Sequence, residues 1–65
     1  MDRMAVAKRL RTLRGKRTQA EVSRDLDITQ SSYAMYETAQ RMPSDEVKER
    51  FAKYYNLTVQ AIFFD

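Results

Sequence analysis

The chain has 65 residues, with 12 Lys and Arg against 9 Asp and Glu, one Gly, one Pro, no Cys and no His. That predicts one small domain, residues 1–65, held together without a disulfide or an ordinary zinc site. Missing His and Cys also remove the commonest general base and the thiol nucleophile, so the composition argues against an enzyme and implies no metal or cofactor.

With 43% hydrophobic and 32% charged residues and few turn formers, the composition suits an all-α fold rather than disorder or a turn-dense β fold. No apolar run approaches the ~20 residues of a membrane span, and MDRMAVAKRL lacks the apolar stretch of a signal peptide. Absence of Cys fits a reducing cytoplasm. Charge is unevenly spread. Residues 1–24 carry Arg3, Lys8, Arg9, Arg11, Arg14, Lys16, Arg17 and Arg24 against Asp2 and Glu21, while the rest of the chain is net acidic and holds every aromatic, from Tyr33 to Phe64. One half suits a polyanion and the other suits packing.

A first helix is predicted over 4–14, where Val6, Leu10 and Leu13 form one apolar stripe. Gly15 is its stop signal. Thr18-Gln19-Ala20-Glu21 has the form of a capping box, opening a short second helix over 19–26 with Val22 and Leu26 on its buried face. After a turn at Asp27-Ile28, Thr29 caps a third helix over 30–38. Tyr33 and Tyr36 share one face of it, and Gln30, Ser31, Ala34 and Met35 lie mostly off that face. Residues 39–43 form a loop, and Ser44 caps a fourth helix, with Asp45 and Glu46 in its first turn and Val47, Phe51 and Tyr55 four apart along it. Asn56 ends that helix, and Thr58 begins a short fifth one running to about Phe63.

The informative unit is about 18–38: two capped helices joined by a tight turn, the second rich in small polar side chains. Such a pair crosses steeply and can present its second helix to a DNA major groove. Gln30 there could pair with adenine N6 and N7, Ser31 could donate or accept, and Ala34 or Met35 could touch a thymine methyl. Composition alone does not separate this from an ordinary polar surface helix. At the other end, Ile62, Phe63 and Phe64 look too apolar to be buried together in so small a core, and an exposed aromatic edge marks an interface.

Residues 10–44, LRTLRGKRTQAEVSRDLDITQSSYAMYETAQRMPS, resemble the Cro/phage-repressor class of helix-turn-helix domains, also called the xenobiotic-response-element family. The resemblance rests on L-R-x-x-x-T-Q-x-E-V around 13–22, I-T-x-S at 28–31, Y-E at 36–37 and R-x-P at 41–43. It extends to F-A-K-Y-Y-N-L-T-V-Q-A-I-F at 51–63. It implies a compact five-helix, lambda-repressor-like domain whose third helix reads operator DNA as a homodimer on a two-fold symmetric site. Such a protein regulates transcription, as a repressor of phage, mobile-element or bacterial genes, in the cytoplasm at the bacterial nucleoid. Carried over by position, Gln30, Ser31, Met35 and Ala34 read bases. Gln19, Thr29 and Arg41 lie at phosphate-contacting positions, and Arg14 pairs with Glu37 in a salt bridge between the first and third helices. Arg14 could also face a phosphate, and the Tyr33 hydroxyl could reach one. The homodimer is expected through Ile62, Phe63 and Phe64. The alternative is a protein-interaction module, an antitoxin or adaptor, using the same fold. The chain departs from the family in three places. Asp27 stands where many members have Gly, Thr38-Ala39 where many have Asn-Gly, and the connection after the first helix is short.

Overall fold

A computed structural model describes residues 2–64; Met1 and Asp65, the two ends of the expected domain, lie outside the described residues. The Asp2 carboxylate accepts hydrogen bonds from the backbone N–H of Met4 and Ala5 at 2.9 and 3.4 Å. This cap starts α1 (Arg3–Arg14) one residue before the predicted start at Met4. Val6, Ala7 and Leu10 are buried and Leu13 is half-buried.

Gly15 ends α1 at φ 58°, ψ −126°, and the Arg17 N–H donates to the Arg14 carbonyl at 3.2 Å. Those values describe a type II′ turn with Gly15 at its second position, a backbone that a Cβ strains. The connection to the second helix is short for this reason.

The next helix, α2 (Gln19–Asp25), is capped by the Thr18 hydroxyl, which accepts from the Glu21 N–H at 3.0 Å. Only this half of the expected capping box forms among the described residues, and Glu21 is exposed. Thr29 caps α3 (Gln30–Glu37) by accepting from the Ser32 N–H. Ser44 caps α4 (Asp45–Tyr55) by accepting from the Val47 N–H. The chain then closes in a π-helix (Gln60–Phe64) rather than the regular helix predicted from Thr58. Wider i→i+5 winding brings neighbouring side chains closer in direction, and Ile62 and Phe63 both sit in the core, at 0% and 1% exposure.

Three α-helices end in one motif. Asp27, Ala39 and Asn56 have φ of 57°, 64° and 54°. The N–H groups of Ile28, Gln40 and Leu57 reach back to the carbonyls of Ser23, Met35 and Ala52 at 3.0, 3.0 and 2.9 Å. Those of Asp27, Ala39 and Asn56 reach Arg24, Tyr36 and Lys53. These are Schellman ends, each with a non-glycine residue in the left-handed region.

The core gathers around Phe51. Its ring lies 6.1 Å from Tyr33, 6.3 Å from Tyr36, 6.5 Å from Tyr55 and 5.6 Å from Phe63, in offset-stacked and edge-to-face pairs. Val6, Leu10, Val22, Leu26 and Ile62 complete it. The expectation that Ile62 and Phe63 form a dimer seam is therefore corrected. Both are consumed by the core, and of that trio only Phe64 is exposed, at 48%.

Arginines fasten the helix ends. Arg9 donates to the Ile62 carbonyl at 2.6 Å, Arg11 to that of Glu37 at 2.6 Å and Arg17 to that of Leu13 at 3.3 Å. Arg50 reaches the carbonyls of Leu26 and Asp27 at 3.2 and 3.1 Å. Cations at C-terminal carbonyls satisfy orphan acceptors and oppose the negative end of the helix dipole.

Candidate nucleic-acid interface

The geometry of α3 is set by one buried acid. Glu37 is 2% exposed, and its carboxylate accepts from Arg14 Nε at 2.7 Å, Arg14 Nη2 at 3.2 Å, Gln19 Nε2 at 3.1 Å and the Tyr33 hydroxyl. These donors come from α1, from the start of α2 and from α3 itself, so a single carboxylate ties the three helices together. Burial alone would raise the Glu37 pKa, but the hydrogen bonds from Arg14, Tyr33 and Gln19 outweigh it and hold the group below the usual glutamate value. The hydrogen bond to Glu37 raises the Arg14 pKa above its ordinary value. For Tyr33, burial and the hydrogen bond to Glu37 push the phenol upward.

The Arg14–Glu37 salt bridge expected from the resemblance is thus present, and it is two-pronged. One phosphate assignment is corrected by the same contacts. Tyr33 is fully buried and its hydroxyl is donated to Glu37, so it does not face solvent. Arg14 directs Nε and Nη2 at Glu37 and Nη1 at the Arg17 carbonyl, 2.9 Å away, which leaves two of its five N–H donors uncommitted on a side chain 25% exposed.

With Tyr33, Tyr36 and Glu37 turned inward, the opposite face of α3 is small and polar. Gln30 and Ser31 are exposed, and Ala34 and Met35 are half-buried. Successive positions on this face follow the helical period, so all four predicted reading residues share one surface. Thr29 is exposed at the N-terminus of α3, where its hydroxyl accepts from the Ser32 N–H and donates to the Ser32 hydroxyl at 2.9 Å. Gln19 is half-buried, one amide hydrogen engaged by Glu37; a primary amide carries two. Arg41 is exposed in the loop after α3 and makes no hydrogen bond or ion pair among the described residues.

That loop begins with the Schellman turn at Ala39. The Thr38 hydroxyl donates to the Ala34 carbonyl at 3.0 Å, and the Gln40 amide donates to Thr38 at 2.9 Å. Thr38-Ala39 thus adopts the turn that Asn-Gly adopts more easily, and the loop keeps its helix-ending geometry.

Apart from the Arg14–Glu37 pair, sequence reasoning missed the inward use of the basic half. Arg9, Arg11, Arg14 and Arg17 all bond to backbone carbonyls or to Glu37, and Arg17 also lies over the rings of Tyr54 and Tyr55 at 5.6 and 5.8 Å. One-dimensional charge counts cannot register this, because the acceptors are main-chain oxygens. Among the described residues no helix is long and apolar enough to cross a membrane, and no group of His, Cys, Asp and Glu could hold a metal ion.

A family model described as a helix-turn-helix domain matches residues 5–62. Neither the curated proteins nor the solved structures contain a match to the chain.

Proposed function

From the premise that this chain belongs to the helix-turn-helix domain family, we propose that it is a transcriptional regulator that binds double-stranded DNA by sequence, a binding protein and not an enzyme. The observation that carries this reading is the face of α3 bearing Gln30, Ser31, Ala34 and Met35. On it Gln30 and Ser31 are exposed and Ala34 and Met35 partly so, while its opposite face is locked by the Glu37 network.

A major groove about 12 Å wide admits one helix. With α3 in it, Gln30 makes paired hydrogen bonds to an adenine, Ser31 serves as a short donor or acceptor, and Ala34 and Met35 pack on thymine methyls. Arg41 and the free amide hydrogen of Gln19 hold phosphates on either side, and Thr29 lies beside the backbone. Locking α3 before binding spares the complex the cost of ordering it. A two-fold homodimer that packs through Phe64 would place two such helices about one helical turn apart, in successive major grooves. Occupying a promoter in this way is repression by exclusion, carried out in the cytoplasm on the nucleoid.

The test is enrichment of a random duplex pool on the purified protein at moderate salt. A two-fold symmetric motif supports the dimeric reader, and a single half-site supports a monomeric one. No enrichment, with only weak salt-sensitive binding, overturns the proposal in favour of a protein-interaction module. On the recovered sequence, Gln30→Ala loses about 1–3 kcal/mol, as for one paired base contact. The same loss on scrambled DNA would show that Gln30 does not read bases.

A further inference from the structure

The reading helix ends at a point gripped from outside. Arg11 and Arg14 lie one turn apart on α1 and hold the same residue of α3 by its two ends. Arg14 takes the Glu37 carboxylate, and Arg11 Nη1 takes the Glu37 main-chain carbonyl at 2.6 Å. The last turns of α1, α2 and α4 each contain a basic residue of their own, whereas the last turn of α3 contains none. The cation at the negative end of α3 is therefore supplied by α1.

Immediately beyond that carbonyl the chain makes its tightest demand on a non-glycine residue. Ala39, at φ 64°, has no polar side chain to ease the left-handed conformation. Two residues further on stands Arg41. Arg11 is an exposed cation on a basic helix, and composition alone would assign it to phosphate. Its short bond to the Glu37 carbonyl directs the guanidinium to the helix end instead.

We propose that Arg11 is a positioning residue for DNA recognition: by capping α3 from α1 it holds the strained turn at Ala39 and so fixes where Arg41 meets the DNA backbone. The inference rests on the function proposed above for its DNA arm, and on geometry alone for its structural arm.

The three Schellman ends supply an internal control. In Arg11→Met, amide hydrogen exchange at Gln40 should accelerate roughly tenfold, the scale of one charge-assisted hydrogen bond lost. The equivalent amides of Ile28 and Leu57, in the same motif at the ends of α2 and α4, should keep their rates. On DNA, Arg11→Met should weaken binding to the enriched and the scrambled duplex alike, roughly tenfold, and by more than Lys8→Met does on either. Lys8→Met removes a charge from the same helix without touching a helix end. Arg41→Ala should then cost less in the Arg11→Met background than in the parent, the mark of a coupled pair.

Equal acceleration at all three amides, or none at Gln40, would overturn the proposal. So would strictly additive losses for Arg11→Met and Arg41→Ala, which would make Arg11 a phosphate contact of its own. If the parent protein enriches no sequence, the DNA reading fails by itself, and the exchange pattern still decides whether Arg11 holds the loop.

Discussion

Ala39→Gly should stabilise this domain. An L-residue in the left-handed region costs roughly 1–2 kcal/mol relative to right-handed helix, and Ala39 sits there at φ 64°. Glycine removes that cost but enlarges the freedom of the unfolded chain, which takes back about 0.4–1 kcal/mol. The Ala39 methyl is half-exposed, so little packing is lost. Both backbone bonds of the turn, Gln40 to Met35 and Ala39 to Tyr36, need only the main chain and persist. The net gain is about 0.5–1 kcal/mol, which for a domain of this size raises Tm by about 3–6 °C. Thermal and urea unfolding should agree on the gain. Asn56→Gly is the matched comparison. It has the same motif at φ 54°, but asparagine tolerates the left-handed region and glycine should bring little there. An Ala39→Gly protein no more stable than its parent, or equal shifts at both sites, would refute the argument from backbone strain.

Acid should unfold the domain partly through Glu37. Its folded pKa is lowered, so its contribution is present above the ordinary glutamate value of about 4.3 and is lost as pH falls through that value toward the folded one. Glu37→Gln should therefore be less stable than the parent at pH 7, yet show a smaller drop in urea midpoint between pH 7 and pH 4. Parallel drops would remove Glu37 from the acid transition. Gly15→Ala should cost about 1–3 kcal/mol through backbone strain; crowding does not enter, since the nearest atom to an added Cβ is the Thr12 carbonyl oxygen at 4.0 Å. Calorimetry giving an unchanged Tm would mean the turn relaxes to another form. Arg41→Ala should weaken binding to every duplex alike and lower the salt slope by about one unit. An unchanged slope takes Arg41 out of the phosphate set.

Much of the architecture was legible because it rests on local chemistry. Thr18, Thr29 and Ser44 announce helix starts by the hydroxyl each offers, and all three cap as expected. Spacing of Val6 and Leu10, and of Tyr33 and Tyr36, located the buried faces. Asp2 was overlooked because the apolar stripe of the first helix begins only at Val6, four positions on. The π-helix was illegible for a different reason. Nothing in Gln60–Phe64 distinguishes i→i+5 from i→i+4 winding, and the choice goes with seating Ile62 and Phe63 side by side against the Phe51 cluster. The candidate site divides along the same line. Gln30 and Ser31 could be placed on an open face from period alone. Removing Tyr33 from the phosphate set required knowing that its hydroxyl is spent on Glu37.

The arginine-to-carbonyl bonds also bear on how long a folded molecule lasts. Three of these arginines join residues remote along the chain, 53 positions apart for Arg9 and Ile62, 26 for Arg11 and Glu37, and 24 for Arg50 and Leu26. Short helices that assemble through neighbouring contacts fold quickly, and such distant polar clasps close only after the helices have docked. Interactions absent from the rate-limiting state leave the folding rate alone and slow the reverse step. A chain without cysteine thus carries a polar counterpart of the cross-link. Its expected effect is to delay opening, so that removing one of these guanidinium groups should shorten the interval between spontaneous unfolding events and leave the folding rate alone.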